Sequence, residues 1–393
     1  MYRFRMESYV LLGAAFLAAC SDQNAPSVPT AVASFAVASD TGGGGGASGT
    51  PGATSPSCPA TPTFVVTTEG SLRDAVAAAG PGAVIAIRGM VGISADLVIT
   101  TASVRLTCAT PGSGLFAVLG NPDFLFLIQA LAPGVAVDNL VLDASALGEG
   151  PYFGTQANLR FSNNIVSCGA AGGGCPLWDA APGVIVTNNT FTANGTGTGV
   201  HLQNGIDGAR IQGNVVIATA PSTGPVFGGI RARDGKGVVI ADNVVIGPWF
   251  NSLSVTFLEA SQITSNRFEG GAAFGMFLGL PGSFRAVRLR DNSFRSNRAT
   301  GAGLAGLYVA QSCNNVFVGN NLQGNASGLG VVLDTTSGAN TLVGNGTIVI
   351  DLGAQDCDGD GVADPNVITG ASLASRGVPL GVTVSGAVRG RLR

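Results

Sequence analysis

Charge is scarce in this 393-residue chain: Asp, Glu, Lys and Arg together make up 11%, and there is one histidine, His201. A single lysine, Lys236, stands among 20 basic residues, and the formal net charge is −3. Such a chain has no basic field to attract nucleic acid. With one histidine and no close Cys-x-x-Cys pair, the usual ligand set of a zinc site is missing too. Sixty glycines are present without a strict triplet period, which excludes collagen. Low charge with 46% hydrophobic residues argues against disorder. What remains is Val, Ile and Ala in short runs punctuated by glycine, the composition of a protein built from many short strands.

The first residues have another purpose. Arg3 and Arg5 precede an apolar run from Tyr9 to Ala19, ending in Leu17-Ala18-Ala19-Cys20. A basic start, a short apolar stretch and small residues before a cleavage point describe an export signal. The run falls short of the roughly 20 apolar residues that span a bilayer. Leu-Ala-Ala-Cys resembles the lipobox of bacterial lipoproteins, with Glu7 as a departure from the usual basic segment. The resemblance implies cleavage before Cys20, acylation of its thiol and anchoring in a membrane; Ser21 after the cysteine favours the outer membrane of the cell envelope. Residues 1–20 are thus read as a lipoprotein signal peptide. Residues 21–62, rich in Ser, Thr, Ala, Pro and Gly, are read as a flexible linker. Six further cysteines suit disulfides in an oxidising compartment. Cys168 with Cys175 closes a small loop, and proximity alone suggests Cys58 with Cys108 and Cys313 with Cys357.

The strongest signal is a repeat. An apolar residue, two variable residues, Asn, one variable residue and another apolar residue recur, as in Ile211-Gln212-Gly213-Asn214-Val215-Val216 and Ile240-Ala241-Asp242-Asn243-Val244-Val245. The asparagines fall at Asn139, Asn164, Asn189, Asn214, Asn243, Asn266, Asn292, Asn320 and Asn345, in steps of 25, 25, 25, 29, 23, 26, 28 and 25 residues. A period in this range means a solenoid. The leucine-rich frame is absent, and each unit alternates apolar with variable residues as a half-buried strand does. The predicted strands are Val184–Val186, Ala209–Gln212, Val238–Ala241, Ser261–Thr264, Val287–Arg290 and Asn315–Val318, with Ile211, Ile240, Ile263 and Leu289 in one inward stack. The Asn column is expected to stack amide on amide inside a bend whose left-handed backbone asparagine tolerates.

This pattern resembles the right-handed parallel β-helix of the pectate-lyase-like superfamily over residues 63–352, with 353–393 as a C-terminal cap carrying an acidic Asp/Gly loop. The expected class is all-β, a right-handed parallel β-helix solenoid of about ten coils. Ser71-Leu72-Arg73-Asp74-Ala75-Val76 reads as a short N-terminal capping helix, with Ser71 and Asp74 as a capping-box-like pair and Gly80-Pro81 as its stop. Such a helix covers the first coil.

Candidate sites lie on the outward positions. Asp207, Lys236, Glu259 and Arg285 each stand seven residues before a repeat Asn, forming a ladder of alternating sign. Arg285, Arg288, Arg290, Arg295 and Arg298 cluster, with Gln262 and Arg210 on preceding coils. Such a face suits carboxylated or sulfated sugars, because guanidinium binds these anions bidentately. The paired aspartates and Gly-His-Gly of polygalacturonase-like hydrolases are absent, and His201 has no carboxylate pair at motif spacing, so it reads as an ordinary surface residue. Asp356-Cys357-Asp358-Gly359-Asp360-Gly361-Val362-Ala363-Asp364 resembles the Ca²⁺ loops of EF-hands, dockerins and thrombospondin type 3 repeats. The resemblance puts Asp356, Asp358, Asp360, the Val362 carbonyl and Asp364 at ligand positions 1, 3, 5, 7 and 9. Val367 stands where a bidentate acid is expected, implying weak structural calcium. The expected function is a lipid-anchored envelope protein presenting an elongated surface to polysaccharide or other envelope components. The alternatives are a polysaccharide lyase of the same fold, with Arg288 or Arg290 as base, and a purely structural or adhesive stalk.

Overall fold

A computed structural model describes residues 57–373, apart from 59–60, 120, 122, 170–174, 195–196, 223–227, 280–288, 347, 354 and 371. The sequence-based expectations for Cys20, Arg285 and Arg288 lie outside the described residues.

The chain winds as a right-handed parallel β-solenoid. Each coil contributes strands to three sheets, of 13, 15 and nine strands among the described residues, and every pairing is parallel to the neighbouring coil. The 13-stranded sheet runs from Phe64–Val66 to Val367–Thr369, giving about a dozen turns rather than ten. The first coils and the last lack the Asn phrase, so counting that phrase missed them. In the three-residue strands of this sheet from Ala136–Asp138 to Thr341–Val343 the middle side chain points inward. Val186, Ile211, Ile240, Ile263, Phe294, Phe317 and Leu342 are paired coil to coil and are all buried. Burial of such side chains stabilises by roughly 1.5–3 kcal/mol each. Aromatics pack together inside: the Tyr152 and Phe161 ring centroids lie 5.0 Å apart, and Phe161 and Trp178 5.6 Å.

The predicted inward stack is right for Ile211, Ile240 and Ile263 and wrong for Leu289. Leu289 is buried, but in the 15-stranded sheet, paired with Ser312; Phe294 follows Ile263. Leu289-x-x-Asn292 and Phe294-x-x-Asn297 both satisfy the repeat phrase, and only the second is in register with the preceding coils. Two asparagine ladders therefore exist. One joins Asn164, Asn189, Asn214, Asn243, Asn266, Asn297, Asn320 and Asn345. The other joins Asn292, Asn315, Asn340 and Asn366 at the opposite end of the same short strands. Asn139 belongs to neither ladder: the Leu140 amide, one position on, donates to Asn164 Oδ1. The ladder residues do not take up the left-handed conformation either. The residue just before each one except Asn366, which follows Pro365, does, with φ of 56° at Asn188, 66° at Gly213 and 55° at Asp242. The bend is made there, leaving the next amide free to point inward and stack.

The helix spans Glu69–Ala78, two residues earlier than expected. Thr68 is its N-cap: Thr68 Oγ1 accepts from the Ser71 amide, and Ser71 Oγ accepts from the Thr68 amide. Asp74 takes no part in the box. Leu72 and Ala75 turn inward and close the first coil. Three disulfides, Cys58–Cys108, Cys168–Cys175 and Cys313–Cys357, have Cα separations of 5.2, 5.5 and 5.7 Å. The strands Val367–Thr369 and Ser372–Leu373 continue two sheets beyond the acidic loop.

Candidate functional site

Outward positions of the 15-stranded sheet carry the densest chemistry. Parallel register aligns His201, Arg231, Ser254, Phe277 and Tyr308 on five successive coils. At about 4.8 Å per coil the row is roughly 19 Å long. Arg233 and Thr256 are paired two residues further along their strands.

His201 is not the surface residue that the sequence suggests. It is 8% exposed, and its Nε2 is buried without a hydrogen-bond partner. Burial lowers its pKa to about 3, helped by the neighbouring Arg231 and Arg233 charges and opposed by a hydrogen bond with Gln203. The imidazole is therefore neutral at physiological pH. Arg233 Nε is likewise buried and unpartnered, and its guanidinium carbon sits 5.8 Å from the Phe257 ring centroid. Phe257 has a φ of +57°, an unusual conformation for a bulky side chain; Asn204, Asp234 and Gln311 take positive φ at bends of the same sheet. Beside this group the Phe277 and Tyr308 rings stack at 5.3 Å, with Phe274 5.1 Å from Tyr308. Tyr308 donates to Asp334 at 2.9 Å, and burial, followed by the Asp334 charge, pushes its hydroxyl pKa up. Asp179 accepts from Asn204 at 2.7 Å. The arrangement combines guanidinium groups, which can bind carboxylates bidentately, with a neutral imidazole and a buried aromatic stack.

Of the arginine cluster expected from sequence, the described members lie on different sheets. Arg210 and Gln262 do share an outward column, on the 13-stranded sheet. Arg295 lies one column over on that sheet, and Arg298 on the nine-stranded sheet beside Arg267. Arg290 ends a short strand of the 15-stranded sheet opposite Glu259, bonding it at 3.2 Å. The charge ladder therefore runs Asp207, Lys236, Glu259, Arg290, with the Lys236 amide donating to Asp207 and Lys236 Nζ 3.8 Å from Glu259. Arg290, not Arg285, is seven residues before Asn297, so correcting the Asn register corrects the ladder as well. The signal for His201, Arg231 and Arg233 was present in sequence only as outward alternation; nothing local distinguished them from solvated residues.

In the acidic loop, Asp356, Asp358 and Asp364 each offer a carboxylate oxygen within 4.8 Å of the others. Asp360 instead accepts from the Val362 amide. The Gly359 and Gly361 amides donate to Asp356 and hold its carboxyl below the ordinary range. Cys357, bonded to Cys313, ties the loop to the coil below, and its amide donates to Asp364. These three aspartates fit a divalent cation of oxygen preference.

The family model described as "Right handed beta helix region" matches residues 223–357. No curated protein matches the chain. Among solved structures, the Dettilon tailspike protein (gp208) is similar with a TM-score of 0.50 and 13% identity over 78% of this chain and 68% of that one. The polysaccharide lyase Pedsa3628 of Pseudopedobacter saltans has a TM-score of 0.46 at 10% identity, covering 80% and 94%. A DFA-IIIase of Arthrobacter chlorophenolicus A6 has 0.46 at 15%, covering 76% and 92%. These likenesses are of fold.

Proposed function

We propose that the protein is a polysaccharide-binding β-helix of the bacterial envelope, holding acidic sugar chains on the outward face of its 15-stranded sheet. One observation carries this reading: His201 Nε2 and Arg233 Nε are buried, unpartnered nitrogens on adjacent coils. An unsatisfied buried polar group costs about 1–3 kcal/mol, so a site with two of them gains from a ligand that supplies oxygen atoms. The Phe277 and Tyr308 rings beside them are buried and stacked on each other, which holds that part of the row rigid.

The test is affinity electrophoresis of the exported chain through gels containing polyuronate or neutral dextran. Retardation by polyuronate alone, lost in Arg231→Ala/Arg233→Ala, supports the reading; equal mobility in all gels refutes it. Cleavage is a second reading, favoured by the Arg231 and Arg233 charges beside His201, which would neutralise a uronate carboxylate. Appearance of an unsaturated uronate absorbing in the ultraviolet, lost in Arg231→Ala/Arg233→Ala, separates a lyase from a binder. Anchoring through acylated Cys20, location at the outer membrane and weak structural Ca²⁺ at Asp356, Asp358 and Asp364 complete the proposal. They rest on the lipobox-like Leu17-Ala18-Ala19-Cys20 and on the carboxylate geometry.

A further inference from the structure

A second face has an order of its own. On the 13-stranded sheet one outward column reads Arg105, Ala136, Arg160, Ile185, Arg210, Val239, Gln262 over seven successive coils. A long polar side chain stands on every second coil, with a short aliphatic one between. Arg160, Arg210 and Gln262 are exposed, whereas Ala136, Ile185 and Val239 are half-buried. Arg105 is held by Asp138 at 2.8 Å. Arg160 and Arg210 make no side-chain hydrogen bond or ion pair within the described residues. The adjoining column offers Ser162, Thr187, Gln212 and Thr264, with Thr187 Oγ1 donating to Ser162 and Gln212 donating to Asp242.

Alternation by itself would relieve repulsion between arginines on neighbouring coils. That requirement leaves the intervening positions open to any solvated side chain, yet they are Ala, Ile and Val. Parallel strands are about 4.8 Å apart, so successive guanidinium groups recur about every 9.6 Å along the solenoid axis. That repeat is close to the length of two (1→4)-linked pyranose units. Between the charges, the aliphatic side chains present apolar patches to the carbon-bound hydrogens of the uncharged sugar. Guanidinium meets the carboxylate of the charged one through paired N–H donors.

We propose that this column is a linear track for an acidic polysaccharide bearing one negative charge per disaccharide, lying parallel to the solenoid axis. It is on a different face from the His201 row and goes beyond that reading. The track runs along the axis with a repeat set by the coils, so it selects for charge spacing as well as for charge.

The probe is a polymer of alternating glucuronate and neutral N-acetylhexosamine, titrated into the exported chain by calorimetry beside polygalacturonate and an oligothymidylate. The alternating polymer is expected to bind tightest, with affinity falling as salt rises. Arg160→Ala and Arg210→Ala should each weaken it about tenfold, as lost charge-assisted hydrogen bonds do. Arg88→Ala, which removes an exposed arginine outside the column, should leave binding unchanged. Ile185→Arg fills the gap between charges and should shift preference toward polygalacturonate. Because these positions are at the surface, the variants fold, and circular dichroism verifies it. Unchanged affinity in the Arg160/Arg210 double variant, an equal loss in Arg88→Ala, or equal affinity for the oligothymidylate each overturns the proposal. If binding survives the double variant but is lost in Arg231→Ala/Arg233→Ala, the track fails while the proposed function stands. The converse result fails the His201 face and keeps the track.

Discussion

Replacing Asn243 with Ala tests the ladder that sets the register of the solenoid. Its side chain is fully buried and makes four hydrogen bonds. Oδ1 accepts from the Asn214 backbone amide at 3.0 Å and from Asn214 Nδ2 at 2.9 Å. Nδ2 donates to the Ile211 carbonyl at 2.8 Å and to Asn266 Oδ1 at 2.9 Å. Truncation leaves the Asn214 amide buried without an acceptor. It also removes a donor from Ile211, while Asn214 Nδ2 keeps the Val186 carbonyl. An orphaned buried donor costs about 1–3 kcal/mol and each of the three other lost bonds about 0.5–1.5, so the expected loss is about 5 kcal/mol. Asn345, the last rung, accepts two bonds from Asn320 but donates only one, to Phe317. Its truncation should cost about 1 kcal/mol less, because one bond fewer is lost. Asn243→Asp retains an acceptor for Asn214 but turns an oxygen toward the Ile211 carbonyl and Asn266 Oδ1, so it should be no better than Ala at neutral pH. Urea unfolding of the exported chain measures the global effect, and hydrogen exchange at the Asn214 amide measures the local one. A loss below about 0.5 kcal/mol at Asn243, or an equal loss at Asn345, would refute the reasoning.

Other expectations follow from particular groups. His201 titrates near 3 in the fold against 6.5 when exposed, so the unfolded chain binds the extra proton between those values. Stability should be intact above pH 6.5 and fall on acidification toward pH 3, and His201→Gln should flatten that slope in melting curves. Replacing Cys313 and Cys357 together by Ser reopens a loop of 44 residues. By the chain-entropy relation this costs about 4 kcal/mol, and an unchanged urea midpoint would count against that account. Millimolar Ca²⁺ should raise the melting temperature, by roughly 1.4 kcal/mol of linkage at tenfold the dissociation constant. Asp358→Asn should abolish that rise and Asp360→Asn should spare it; identical melts in Ca²⁺ and chelator would leave the loop an acidic turn. Cys20→Ser should give an unprocessed precursor or a soluble protein, and wild-type partition into detergent would rule out the lipid anchor.

The class of fold was legible because its cause is periodic. A coil of fixed circumference returns each inward position to the same neighbour, so Ile211, Ile240 and Ile263 repeat in sequence as they stack in space. The disulfide partners came from nearness in sequence alone, with Cys168 and Cys175 flanking one short loop; the coil period did not supply them. Register after Ile263 was not. Leu289-x-x-Asn292 and Phe294-x-x-Asn297 are equivalent as strings, and only pairing with the coil beneath chooses between them. That choice decided which ladder holds Asn292 and which arginine faces Glu259.

The site lay further from the sequence than the fold did. His201, Arg231 and Arg233 are spread over 33 positions and are joined by register across two coils. Whether an outward side chain meets water or is enclosed depends on what the turns lay over it, and alternation along one strand carries no information about that. The alternating Arg105, Arg160 and Arg210 are likewise separated by whole coils, and their common column exists only once the intervening Ala136 and Ile185 are paired between them. The repeat in the sequence thus determined that the chain coils, because burial every second residue is a local rule. Which side chains meet on each face was decided by the tertiary structure, because coil-to-coil register is set by hydrogen bonds between residues some 23 to 31 positions apart.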